Sequence, residues 1–417
     1  MLAAGSMSRA ASLGPGIPGG HRRIRCARGV ARVKLGFYPA TSAQVTRRSM
    51  GCCLKAAAGK GNQVEMEAAR GGGVDIWSTV AEKENGSFPE HLVIMVNGLV
   101  GSAGDWKFAA EQLVKKLPDE VIVHPGSECN SSRLTFDGVD LMGERLAKEV
   151  RSVVKQRRGV QRISFVAHSL GGLVARYAIG RLYEQVNTMK SPADNNSDEV
   201  NGLEGRIAGL EPMNFITFAS PHLGSRGHKQ LPILCGLPFL EQTALETAHL
   251  IVGRTGKHLF LTDTTDGRPP LLLRMVDDCD DIKFRSALRS FKRRVAYANA
   301  NFDHMVGWRT SSIRRQHELP KHRLLVQDEK YPHIVHVDKG NRGNNHKEVT
   351  SDVKAQPYDM EEEMIRGLTQ VSWERVDVSF QKSKQRYVAH NTIQVKSYWL
   401  NSDGADVIFH MIDNFLI

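Results

Sequence analysis

The sequence predicts an α/β chain, a mostly parallel sheet covered by helices on both faces. Three observations carry that expectation. Short β-type apolar runs at 91–97, 121–123, 163–166, 214–218 and 295–298 alternate with segments of helical period. The run at 91–97, His-Leu-Val-Ile-Met-Val-Asn, is apolar almost throughout, as a strand buried on both faces must be. Residues 163–172, Ile-Ser-Phe-Val-Ala-His-Ser-Leu-Gly-Gly, pass from strand to helix through a serine held between small residues.

The elements follow in order. The first strand breaks at Gly98-Leu99-Val100-Gly101-Ser102, and a helix from about Trp106 to Leu117 is stopped by Pro118. Val121-Ile122-Val123 makes the next strand, and a loop through Ser127, Asn130 and Ser131 leads to a long helix. That helix repeats Met142, Leu146, Val150, Val153 and Val154 on one face. After the serine strand, Leu173, Val174, Tyr177 and Ala178 share a helix face. Residues 187–205 are polar and of low complexity, and read as a surface loop. The strand at 214–218 ends in Ala219-Ser220-Pro221-His222-Leu223-Gly224. Residues 225–292 read as a helical insertion with an apolar patch at 231–251, and residues 304–370 as an irregular, charged one. An alternating strand from Trp373 to Phe380 and a last helix with Val407, Ile408, Met411, Ile412 and Phe415 complete the chain.

The net charge of +11 over 417 residues is local. Residues 1–64 contain eleven Arg and Lys and no Asp or Glu, so the remainder is neutral overall and a nucleic-acid role finds no basic excess there. Residues 1–65, rich in Arg, Ser, Ala and Gly, have transit-peptide composition, which implies a chloroplast or mitochondrial address; without it a cytoplasmic protein is expected. Initiation at Met50 would give Met-Gly-Cys-Cys-Leu-Lys, a weak lipidation pattern, and at Met66 a plain soluble protein. Residues 66–88 read as a linker and 89–417 as the folded body. The body keeps Cys129, Cys235 and Cys279, with no disulfide or metal-ligand spacing.

A serine hydroxyl needs a base within hydrogen-bond reach, and the base needs a carboxylate to orient it. In this architecture the chain order is serine, acid, histidine. Ser169 sits on the strand–helix turn with Ala167 and Gly171 two residues to either side, alanine replacing the usual first glycine. Asp303 follows a late strand, and His390 lies before the last helix. Asp277, Asp278, Asp280 and Asp281 lack a preceding strand and read as a solvated face. His410 falls inside the last helix; His304, His333, His336 and His346 fall in the irregular segment. His168, beside the serine, reads as structural. The oxyanion donors are expected to be the backbone N–H of Leu170 and that of Leu99 in the glycine loop.

Five motifs now stand in order: Val96-Asn97-Gly98-Leu99, Ala167-His168-Ser169-Leu170-Gly171-Gly172, Phe218-Ala219-Ser220-Pro221-His222-Leu223-Gly224, Asp303-His304-Met305-Val306-Gly307-Trp308 and Ala389-His390-Asn391-Thr392-Ile393. From about Pro89 to the C-terminus the chain resembles the serine esterase (lipase-like) family of the α/β-hydrolase superfamily. That family includes plant lipase-like proteins, the type this chain suggests, and yeast proteins regarded as monoacylglycerol lipases. The resemblance implies the α/β-hydrolase fold, Ser169 as nucleophile, Asp303 as orienting acid, His390 as base, and no cofactor. Asn97 departs from the His that related lipases often carry there. The implied reaction is hydrolysis of a carboxylic ester of a lipid-like substrate, an acylglycerol, phospholipid or galactolipid. The insertion 225–292 then reads as a lid or as an added helical layer, and its patch Leu231–Leu240 suits an acyl chain or peripheral membrane contact. Two other readings stay open: acyl transfer through the same three residues, and a non-catalytic member of the fold that binds a ligand.

Overall fold

The computed structural model describes residues 89–125, 128–157, 159–186, 205–225, 253–265, 267–340 and 359–417. The extension 1–65, the linker 66–88, nearly all of the 187–205 loop and the apolar patch 231–251 lie outside the described residues.

A seven-stranded sheet runs in the order β2-β1-β3-β6-β7-β9-β8. Its strands are β1 His91–Val96, β2 Val121–His124, β3 Arg162–His168, β6 Glu211–Phe218, β7 Arg293–Asn299, β8 Ile334–Asp338 and β9 Glu374–Val378; a separate hairpin pairs β4 Tyr183–Gln185 with β5 Gly205–Ile207. All neighbours in the large sheet are parallel except the edge pair β8–β9. Parallel strands need crossovers, and these place helices on both faces.

Strand alternation divides the core. Leu92, Ile94 and Val96 of β1 join Ile163, Phe165 and Ala167 of β3 against α2 (Val139–Gln156) and α3 (Leu170–Leu182). Val93 and Met95 with Val166 face the other way, against α1 (Lys107–Lys116) and the helix Ala405–Asp413. Both faces being buried is why the β1 run carries almost no polar residue. Helices α2 and α3 approach closely because residue 143 is glycine: a Cβ there would stand 2.3 Å from Tyr177 Cδ1.

The segment 304–370 is more regular than its sequence suggests. It supplies the helices Trp308–Ser312 and Met360–Leu368 and the edge strand β8. A buried ionic knot ties it to β9. The fully buried carboxylate of Asp377 accepts from Trp308 Nε1 (2.7 Å), Arg314 Nη1 (2.7 and 2.9 Å) and His336 Nδ1 (3.0 Å).

Five histidines are buried among the described residues, His91, His168, His222, His258 and His410, and burial lowers the pKa of each. Ser164 Oγ already accepts from the Asn214 backbone N–H (3.0 Å) and Nδ2 (2.9 Å), so its own proton points to His91 Nε2 at 2.7 Å and that ring is neutral. Burial, with the nearby Arg162 charge, pushes His91 down to about 3. Burial likewise holds His168 and His222 well below the usual histidine range, with the charges of His390 and Arg176 adding to it. A folded-state value below the unfolded one means the unfolded chain binds the extra protons. The stability from neutral burial is therefore complete above the unfolded value near 6.5 and is lost as pH falls from there. Each such histidine removes at most about 1.4 kcal/mol per pH unit below the unfolded value. Thermal melts should show the midpoint falling between pH 6.5 and 5, with His91→Gln removing part of that slope. A flat midpoint over that range would contradict the assignment.

Candidate active site

The candidate residues gather at the C-terminal ends of β1, β3 and β7 and in the segment after β9, where open α/β sheets present their ligand crevice. Ser169 follows β3 directly and holds φ +53° and ψ −128°, a conformation rare for a non-glycine residue. Its N–H is fastened to Phe218 O at 2.9 Å, so the neighbouring strand fixes the turn. The small residues around it have a steric cause. A Cβ at Gly171 would lie 2.5 Å from Val96 O and 2.6 Å from Asn97 O, and one at Gly172 would meet Ser220 Oγ at 2.2 Å. Helix α3 can start at the serine only because both positions lack side chains. Ala167 is fully buried in this turn, so the extra methyl is accommodated.

His390 reaches Ser169 from the one-turn helix Ala389–Thr392, with Nε2 3.0 Å from Ser169 Oγ and Nδ1 3.1 Å from Asp303 Oδ2. Residues 221 and 87 positions apart in the chain thus form one line of hydrogen bonds. Asp303 is held from several sides. Asn299 Nδ2 donates to Oδ2 at 2.8 Å, and the N–H groups of Met305 and Val306 donate to Oδ1 at 3.0 and 2.9 Å. Burial pushes its carboxyl up, but the His390 charge and the bonds from His390, Val306 and Asn299 outweigh burial and leave it below the usual carboxylate value. A carboxylate held ionised in this way keeps the His390 proton on Nδ1 and leaves the Nε2 lone pair facing the serine hydroxyl.

The loop after β1 lies against the serine: a Cβ at Gly98 would be 2.9 Å from Ser169 Cβ. Gly101 N–H closes a turn on Gly98 O at 3.0 Å, and Val100, at φ +55°, donates its N–H to Thr135 Oγ1 at 2.9 Å. The N–H of Leu99 has no acceptor among the described residues. Leu170 is the first residue of α3, so its N–H has no carbonyl one turn back and lies at the positive end of the helix. Asn97 points away from chemistry, its Nδ2 donating to Gly98 O and Asn130 O, both at 3.2 Å.

Asn299 and Lys396 escaped the sequence, and His168 read as structural without a partner. His168 has a specific structural duty: its Nε2–H donates to the backbone carbonyl of His390 at 2.7 Å, and the two rings lie 4.7 Å apart. Asn299 holds Asp303 and donates to Ala389 O at 3.3 Å, joining the acid loop to the histidine turn. Lys396 pairs with Asp105 at 3.1 Å, tying the histidine segment to the short turn that follows the glycine loop. His410 is packed against Tyr297, its Nδ1 2.8 Å from the phenol oxygen, and His333 and His336 pair with Asp406 and Asp377. His304 is exposed, and Asp277, Asp280 and Asp281 form a solvated stretch; none of these residues enters the site. His346 and Cys235 lie outside the described residues.

Several known proteins are similar to this chain. The yeast protein named "Putative lipase ROG1" (Saccharomyces cerevisiae) is 30% identical over 244 residues, 58% of this chain and 31% of its own length. "Putative lipase C4A8.10" of Schizosaccharomyces pombe is 29% identical over 233 residues, covering 54% and 26%. The chain thus spans about a quarter to a third of the length of these curated relatives. Among solved structures, an extracellular α/β-hydrolase from a Paenibacillus species aligns with 73% of this chain and 98% of its own at 12% identity and a TM-score of 0.31, too remote to bear on function. The family described as "Putative serine esterase (DUF676)" matches residues 87–313, a span that holds the glycine loop, Ser169 and Asp303 and ends before His390. With more than half of its length matched, and with a mostly parallel sheet presenting a serine at a strained strand–helix turn, the chain belongs to this serine esterase family of the α/β-hydrolase fold.

Proposed function

We propose that the protein hydrolyses carboxylic esters of lipid-like substrates through an acyl-enzyme on Ser169. The observation that carries this reading is the unbroken line from Ser169 Oγ to His390 Nε2 (3.0 Å) and from His390 Nδ1 to Asp303 Oδ2 (3.1 Å). The Ser169 O–H donates to Nε2. As Oγ attacks the ester carbonyl, its proton moves to Nε2 and the Asp303 carboxylate stabilises the imidazolium. The carbonyl electron pair moves onto oxygen, next to the N–H groups of Leu99 and Leu170. Each such donor is worth about 3–4 kcal/mol in the transition state. His390 then gives its proton to the leaving alkoxide, and water, activated by the same imidazole, releases the acid from Ser169. Acyl transfer would follow the same first half with an alcohol in place of water, and no contact here favours it. Lipid as the substrate class rests on the names of the two yeast relatives.

The test is covalent. A fluorophosphonate probe needs an activated serine and no knowledge of the substrate. The full chain should label at one site, Ser169→Ala should not label, and buffer above neutral pH should not abolish labelling. An equally labelled Ser169→Ala variant would place the nucleophile elsewhere, and an unlabelled wild type would favour the ligand-binding reading.

A further inference from the structure

Exposed apolar side chains gather beside the serine site. Tyr387 and Val388, immediately before the histidine turn, are 66% and 44% exposed. In the one-turn helix Tyr398–Asn401 after it, Trp399 is 94% exposed, Leu400 69% and Tyr398 56%. Scattered exposed apolar residues are ordinary, but a contiguous set marks an interaction surface. The two segments are tied together at their flanks. Gln385 Nε2 donates to Ser402 Oγ at 3.1 Å, and Gln385 Oε1 accepts from the Asp403 N–H at 3.0 Å. Further rings extend the surface on either side: Tyr398 stacks on Phe108 with centroids 5.1 Å apart, and Tyr387 meets Phe302 edge-on at 5.9 Å.

The charge around this patch is cationic. Lys382 and Lys384 are exposed, and the Arg386 guanidinium lies over the rings of Tyr387 and Phe302 at 4.9 and 5.4 Å. Two flanking acids are already engaged, Asp403 by the Ser383 hydroxyl and Asp105 by Lys396. Indole and phenol rings with a wet edge, ringed by Lys and Arg, suit the headgroup layer of an anionic membrane. No described helix is long and apolar enough to cross a membrane, so the contact fits a protein lying on the surface.

We propose that Tyr387, Val388, Tyr398, Trp399 and Leu400 dock this protein onto an anionic lipid bilayer. Trp399 and Leu400 enter the interface, and Lys384 and Arg386 meet the headgroups. Because Tyr387 and Val388 lead directly into the His390 turn, docking brings the serine site to the lipid surface. The inference concerns binding and stands independently of the esterase reading.

The experiment uses the full chain and vesicles of phosphatidylcholine, alone or mixed with phosphatidylglycerol. Wild type should partition onto the mixed vesicles. Trp399→Ser with Leu400→Ser should lower that partitioning about tenfold or more, with an unchanged melting midpoint and unchanged hydrolysis of a water-soluble ester. Lys384→Glu with Arg386→Glu should weaken binding strongly at low salt and less at high salt. Undiminished binding of the serine double variant would assign any membrane affinity to another part of the chain and overturn the proposal, as would a wild type that does not bind. If the same variant instead turned a dimer into a monomer in sedimentation velocity and left vesicle binding intact, the patch would be a self-association surface. Loss of soluble-ester turnover in wild type and variants alike would count against the esterase reading alone.

Discussion

Ser169→Ala should leave a folded protein whose ester turnover is lower by about 10³-fold or more, the scale of loss when an activated nucleophile is removed. Alanine is the informative replacement. It keeps the Cβ that packs toward Gly98 and the N–H that donates to Phe218 O at 2.9 Å, so the strained turn keeps its supports. What disappears is Oγ and its 3.0 Å bond to His390 Nε2. His390→Ala should reduce kcat by a similar factor, and the double variant should be no worse than either single one. The losses of a serine and a base that act as one unit do not add. His410→Ala provides the contrast. Its ring bonds Tyr297 at 2.8 Å inside the helix Ala405–Asp413, so its loss should appear in the urea midpoint and not in kcat/KM. Measuring kcat/KM on a soluble ester beside urea denaturation for all four variants separates the two effects. Ser169→Ala activity within tenfold of wild type would sink the assignment, and so would additive losses in the double variant.

The parts of the site that were legible in the sequence are those whose local geometry restricts residue type. The serine turn needs small neighbours because Val96 O and Asn97 O lie within 2.6 Å of any Cβ at Gly171, and that requirement is written within a few residues of Ser169. Asp303 and His390 were legible through chain order and resemblance. The bonds that hold them were not, because they join distant segments: His168 and the His390 carbonyl are 222 residues apart, Asn299 and Ala389 O 90 apart. A histidine beside the serine reads as structural, but nothing nearby says which carbonyl it holds. The segment 304–370 was misread for a different reason. Its acidic cluster at 361–363 follows Asp359, whose side chain accepts the Glu361 N–H at 3.0 Å, and so forms the capped first turn of the helix Met360–Leu368, where acids favour the helix dipole. Strand β8 escaped because an edge strand of five residues, half exposed toward its end, gives no sustained apolar run.

The same segment carries the largest expected effect on stability. Asp377 sits in β9 with none of its surface exposed, and its two oxygens take Trp308 Nε1, Arg314 Nη1 and His336 Nδ1 between 2.7 and 3.0 Å. Arg314 is itself only 4% exposed at its side chain, and its other carboxylate, that of Asp338, stands 3.5 Å away and is 38% exposed. Asp377→Ala therefore strands a buried guanidinium and a half-buried indole N–H. Breaking one side of such a pair costs about 3–5 kcal/mol, mostly the penalty of the uncompensated charge. The expected result is a loss of that size in urea denaturation, with the segment 308–338 becoming the first to open in hydrogen exchange. The pair as a whole is worth far less than its rupture, because bringing both ions out of water offsets most of their attraction. Asp377→Leu combined with Arg314→Met should for that reason recover most of the lost stability, leaving chiefly the unpaired Trp308 N–H. If the double variant were as unstable as Asp377→Ala, the loss would come from the packing of β9 against the segment and not from the stranded charge. If Asp377→Ala cost less than about 1 kcal/mol, the knot would not hold this edge of the sheet at all.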